Sequence, residues 1–177
     1  MHSLHYRPDL TTARLLLRQP TMADIDAIVG VVGQWEVARR LATVPHPYSR
    51  QDALFFLEQI LPQHWGWGIT LTGNPELIGV VGLTPRPDKT VVGYWLSPAH
   101  WGKGIATEAA RAVVAFGFQE LGLSSIGSDY HEDNPASGRV LTKLGFVEVT
   151  RGLRPCLAEG RNVTSVEMHL NAADFIN

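Results

Sequence analysis

Gly102 and Gly104 flank Lys103 where a strand-like run gives way to a helical one. That placement bears on chemistry, because the first N–H groups of a helix have no partner within it and the macrodipole adds positive potential there. An anion is the natural guest. Glycines let the backbone close on it without a Cβ in the way, and Lys103 can add a point charge at the rim. Each such dipole contact contributes only about 0.3–1 kcal/mol when exposed, so several N–H groups must converge for binding to matter.

The whole run from Val91 to Thr107 therefore reads as a socket for pyrophosphate, and a nucleotide-bearing cofactor follows from it. Two common phosphate motifs fail here. A dinucleotide fingerprint wants a third glycine where Thr107 stands, and a P-loop wants Ser or Thr after the lysine, where Gly104 stands. The remaining structural alternative is a strand-to-helix turn that needs its glycines for geometry alone.

A third pattern fits. Trp101-Gly102-Lys103-Gly104-Ile105-Ala106 resembles the Q/R-x-x-G-x-G/A signature of the GNAT superfamily of acyl-CoA-dependent N-acetyltransferases, with Trp101 in the Gln/Arg place. The wider run GYWLSPAHWGKGIATEA is similar to the branch of RimJ- and RimL-type protein N-terminal acetyltransferases. Thr12-Ala13-Arg14-Leu15-Leu16-Leu17-Arg18 matches the T-x-R-L-x-L-R opening of that branch, so the resemblance spans nearly the whole chain.

A second constellation lies at Asn134-Pro135-Ala136-Ser137. Read locally, Asn134 is an N-cap and Pro135 the favoured first helical residue. The resemblance adds that NPASGRVLTKLGF is similar to the segment these enzymes place beside the acyl-CoA, which gives Asn134 a cofactor contact and Ser137 the role of partner to the departing thiolate. Many GNAT enzymes carry a thiolate-protonating tyrosine further along this helix; Leu141 occupies its place.

The reaction the resemblance implies is acetyl transfer from acetyl-CoA to a primary amine by direct attack, the expected acceptor being the N-terminal α-amine of a protein or peptide. Trp95, Leu96, Trp101, Gly102, Lys103, Gly104, Ile105, Ala106 and Thr107 are the expected cofactor contacts, with backbone N–H around Trp95 and Leu96 polarising the carbonyl. His131, Asp129 and His46 are candidate bases. His46, Tyr48 and Trp35, with Trp65 and Trp67, are candidates to line an acceptor pocket, although core packing is the better reading for Trp67. Cys156 has no recognisable neighbouring base and reads as a packed cysteine. A non-catalytic acyl-CoA-binding module and an acetyltransferase of small-molecule amines are the competing readings.

Composition narrows the class further. A chain of 177 residues suits one N-acetyltransferase domain, 1–177, and the formal charge of −2 with scattered Lys and Arg offers no basic stripe for nucleic acid. A lone cysteine and the absence of a long apolar run point to a cytoplasmic protein that engages no membrane. The opening residues MHSLHYRPDL lack the apolar centre of a signal peptide. No metal is expected, and either a monomer or a homodimer suits the chain.

These residues must be held by a definite set of elements. Strands are predicted at 14–18, 67–71, 77–83, 90–96, 125–131, 146–150 and 163–170, and helices after Thr21, over 34–41, from Ser49 through Ile60, from Ile105 to near Gly122 and over 135–144. A meander followed by alternating helices and strands predicts an α/β (α+β) fold, with a mixed, largely antiparallel sheet of six to seven strands and helices on both faces. The resemblance implies in addition a splayed strand pair forming an acyl-CoA wedge.

Overall fold

Alternating apolar positions in short β-branched runs produce the strands β1 (Leu10–Thr11), β2 (Leu15–Arg18), β3 (Trp65–Leu71), β4 (Gly79–Pro85), β5 (Thr90–Leu96), β6 (Ser125–His131), β7 (Val147–Cys156) and β8 (Arg161–Asn171). The helices are α1 (Ile25–Val32), α2 (Trp35–Ala38), α3 (Arg50–Phe55), α4 (Ile105–Gln119) and α5 (Pro135–Leu144). This computed structural model describes residues 7–177, so Met1 to Tyr6, part of the stretch read for a signal peptide, lie outside the described residues. Among the described residues no helix is long and apolar enough to cross a membrane.

The strands form one mixed sheet in the order β1-β2-β3-β4-β5-β6-β8-β7. It has eight strands, one more than the expected upper count, because Leu10 and Thr11 add a short edge strand opposite Leu17 and Leu16. Every neighbouring pair is antiparallel except β5 and β6. Those two are parallel and share a single register pair, Val91 with Gly127, after which they diverge. The Ser128 hydroxyl donates to the Val92 carbonyl at 2.9 Å and makes the last link across the gap.

Two apolar layers sandwich the sheet. On one face, Leu15, Leu17, Trp67, Ile69, Val81, Leu83 and Val92 pack with Ile105, Ala109, Val113 and Phe116 of α4 and with Leu141 and Leu144 of α5. Trp67 is fully buried, meets Phe116 edge-on at 5.1 Å, and donates its indole N–H to the Pro8 carbonyl, which makes it core. On the other face, Val80 and Leu77 pack with Ile25, Ile28 and Val32 of α1 and Ala53 of α3. Val80 and Val81 point oppositely because successive strand residues alternate faces.

Boundaries differ from the sequence reading in two places with evident causes. Ser49 caps α3 and forms a capping box with Asp52, yet the α-helix ends at Phe55 and continues over Phe56–Ile60 as a wider π-type turn. Pro62 lacks an N–H and would crowd the carbonyl four residues back, and the wider turn moves that carbonyl aside. The strand expected at 146–150 runs instead to Cys156, because Arg151 through Cys156 pair along β8 as far as Arg161.

Candidate active site

The diverging strands open a cleft of about 560 Å³ between β5, β6, the start of α4 and the first turns of α5. Its donors come from strand alternation. The Ser97 N–H donates to the Ile78 carbonyl at 2.8 Å, so the backbone groups of odd-numbered β5 residues face β4 and those of Tyr94 and Leu96 face the gap. Of the two residues expected to supply a carbonyl-polarising N–H, Trp95 is committed to β4 and Leu96 is directed into the cleft. The Leu96 carbonyl is already taken by the Trp101 indole N–H at 2.8 Å.

At one end of the cleft the chain turns through Gly102 (φ 73°) and Gly104 (φ 75°), left-handed conformations that glycine adopts without a steric penalty. Gly104 is the N-cap of α4, and the first helical bond runs from the Glu108 N–H to its carbonyl at 3.0 Å. The N–H groups of Ile105, Ala106 and Thr107 precede that bond and have no carbonyl behind them in the helix. Gly102, Gly104, Ile105, Ala106 and Thr107 all line the cleft, and nothing lies within 4 Å of where a Cβ on Gly102 would stand. The loop therefore fits a pyrophosphate. Lys103 corrects the expectation of a rim charge: its ammonium is turned back to donate to the Ala99 carbonyl at 2.9 Å, outside the cleft lining.

A second wall is built on α5. Asn134 is its N-cap and Pro135 its first residue, as the local reading expects, but the Asn134 side chain makes no cap bond, and the residue lines the cleft. Ser137, one helical turn on, places Oγ 2.8 Å from the Tyr94 hydroxyl of β5. Leu141, in the place of the family tyrosine, is fully buried in the core and outside the cleft lining. The close approach of α5 to β6 depends on Gly138, since a Cβ there would lie 2.7 Å from the Tyr130 ring. Tyrosines from both diverging strands thus grip the first turn of α5.

His131 is buried and lines the cleft. Its Nδ1 lies 3.1 Å from the Arg39 carbonyl, which can only accept, so Nδ1 carries the proton and Nε2 is left as the acceptor in the neutral ring. Asp129 also lines the cleft but pairs with Arg86 at 3.4 Å. The remaining cations of the lining are Arg40, whose guanidinium sits 4.8 Å over the Trp101 ring, with Arg139 and Lys143 on α5.

The structure does not bring the expected acceptor residues to this cleft. Trp35 and His46 meet with rings tilted by 59° and centroids 5.0 Å apart, outside its lining, and Tyr48 packs against the α1 and α3 cluster. Burial and the nearby Asp52 charge push the Tyr48 phenol up to about 12, so it stays protonated at neutral pH. Leu41, Ala42 and Thr43, a few residues ahead of His46 and Tyr48, form the wall instead. Cys156 is buried with its thiol against the Arg39 carbonyl at 3.6 Å, a packing position.

Residues 14–147 match the acetyltransferase (GNAT) domain family. The uncharacterized N-acetyltransferase YoaA of Bacillus subtilis (strain 168) is 36% identical over 147 residues, covering 78% of this chain and 82% of its own. The ribosomal-protein-serine acetyltransferase of Escherichia coli (strain K12) is 33% identical over 75 residues, 41% of this chain and 39% of its own. Among solved structures, Mycobacterium smegmatis RimJ in complex with CoA-disulfide superposes with a TM-score of 0.81 at 19% identity, covering 98% of this chain and 91% of that one. The chain belongs to the GNAT family: it is an N-acetyltransferase, and the RimJ-like resemblance read from its motifs holds.

Proposed function

We propose that this acyltransferase moves an acetyl group from acetyl-CoA to an α-amine, the N-terminus of a protein or peptide. Residues 1–177 act in this reading as one catalytic domain. The backbone of α4's first turn holds the pyrophosphate, Arg139 and Lys143 add charge, and the gap side of β5 pairs with the pantetheine. The Leu96 N–H polarises the thioester carbonyl. His131 Nε2 takes the amine proton, directly or through a water, because the Arg39 carbonyl fixes its tautomer.

The observation that carries the acceptor class is the charge of the cleft. Arg40, Arg86, Arg139 and Lys143 line it against one carboxylate, Asp129, which is already paired. A polycationic acceptor finds no anionic counterpart there. Deprotonating an α-amine of pKa ~7.8 at pH 7 costs about 1 kcal/mol, against nearly 5 for a lysine at ~10.4, which suits a single imidazole base. Steady-state CoA release with free N-terminal peptides, N-blocked lysine peptides and polyamines tests this, with mass spectrometry locating the acetyl group. The expected substrates are the free N-termini; turnover confined to lysine peptides or polyamines overturns the proposal.

A further inference from the structure

Loss of the helix tyrosine to Leu141 leaves a gap in the chemistry that the fold fills from another element. The Tyr94 hydroxyl lies 2.8 Å from Ser137 Oγ and 3.2 Å from the Ser137 carbonyl, and both side chains line the cleft. The carbonyl only accepts, so the pair has two arrangements. In one, the phenol donates to the carbonyl and accepts a hydrogen bond from the serine O–H, which turns the serine hydroxyl away from the cleft. In the other, the phenol donates to Oγ and releases the serine O–H into the cleft.

We infer that Tyr94 is a positioning residue that turns the Ser137 hydroxyl toward the departing sulfur, an inference that rests on the acetyl-CoA reading above. An anion arriving in the cleft selects the second arrangement, giving the chain Tyr94 O–H to Ser137 Oγ–H to sulfur. The atoms balance without proton loss from either hydroxyl. The amine nitrogen bonds to the acetyl carbon, the carbon–sulfur bond breaks with its pair going to sulfur, and the amine proton goes to His131 or water. The thiolate leaves as an anion held by the serine O–H and takes its proton from solvent. Burial raises the Tyr94 phenol well above its ordinary range, the Ser137 hydrogen bond opposing this only in part, so Tyr94 remains a donor throughout. Hydrogen bonds in such a chain polarise one another, which strengthens the one that meets the sulfur.

The test follows the thiol of CoA bound to the full-length protein, read by the ultraviolet absorbance of the thiolate as pH rises, with calorimetry reporting binding separately. Wild type should ionise bound CoA at lower pH than free CoA does, and Tyr94→Phe and Ser137→Ala should each move that titration back toward the free value. Turnover should fall about tenfold in each variant, the worth of one oriented hydrogen bond, with the KM for acetyl-CoA little changed and no further loss in the double variant. Tyr94→Phe that leaves the thiol titration at its wild-type position, with CoA bound and acetyl transfer intact, overturns the positioning role alone. Failure of wild type to bind CoA overturns the donor assignment and this inference with it. Should Tyr94→Phe fold poorly by circular dichroism, Ser137→Ala and Ser137→Thr supply the same readout from the other side of the pair, threonine restoring the shift that alanine removes.

Discussion

Glu108, in the first turn of α4, holds Arg14 by both its main chain and its side chain. One carboxylate oxygen accepts from the Arg14 N–H at 2.9 Å and the Thr12 hydroxyl at 2.6 Å, and the other accepts from Arg14 Nε at 2.7 Å. Arg14 then reaches on to the Lys103 carbonyl at 2.9 Å, inside the anion loop. Thr12 and Arg14 of the opening motif are thus struts for the socket, although they lie 96 and 94 residues from the glutamate they meet.

Glu108→Gln should lower both stability and acetyl-CoA affinity. Burial raises the Glu108 carboxyl, but the hydrogen bonds from Thr12 and Arg14 and the Arg14 charge outweigh it and hold it below the ordinary carboxylate value. A depressed acid contributes stability above its unfolded pKa and loses it as pH falls through the folded one. The Arg14 side chain is half-exposed, so solvent screens the ionic part of the pair to about 1 kcal/mol or less. Thermal melts of wild type and variant should differ at neutral pH and converge as the pH drops below the carboxylate range.

Gly104→Val should fold and bind acetyl-CoA poorly. Space is not the obstacle, since the nearest atom to an added Cβ is Arg14 Nη2 at 3.5 Å; the left-handed backbone is. Forcing a β-branched residue there costs about 1–2 kcal/mol, which moves the turn rather than unfolding the chain. Calorimetry should show an affinity loss larger than the loss of thermal stability.

Leu141→Tyr should not restore an acid to the helix position where the family resemblance implies one. The side chain at 141 is fully buried among α5 and sheet residues, so a phenol there overpacks the core by roughly 1–3 kcal/mol or more. A lower melting temperature with no gain in turnover is the expected result.

His131→Gln should keep CoA binding and lower turnover by about 10²–10⁴-fold, the usual worth of a positioned base. Equal loss of CoA affinity would place His131 in donor binding instead.

The anion loop and the start of α5 were legible because their signals are local. Glycines at a strand-to-helix turn and an Asn-Pro pair before an apolar helix face each imply their own geometry. Tyr94 was not legible, since strand alternation puts it on the α5 side with Val92 and Leu96 but cannot name a partner 43 residues on. The acceptor wall failed for a related reason. Pro45 and Pro47 mark an irregular loop, yet the packing of Tyr48 on α1 and α3 draws that loop away and leaves Leu41 to Thr43 at the cleft. Lys103 shows the same limit in miniature, its backbone placed as expected and its ammonium bonded elsewhere.

In the reading proposed above, the gap between β5 and β6 links donor occupancy to folding. The N–H groups of Tyr94 and Leu96 face the gap, so a donor that pairs with them in the reading proposed above acts as a missing rung of the sheet. By mass action, a ligand at a hundred times its Kd that binds only the folded chain adds about 2.7 kcal/mol. For a chain of this length that is a rise of roughly 5–10 °C in Tm. If acetyl-CoA is the donor, as proposed, thermal melts with and without it should show that rise.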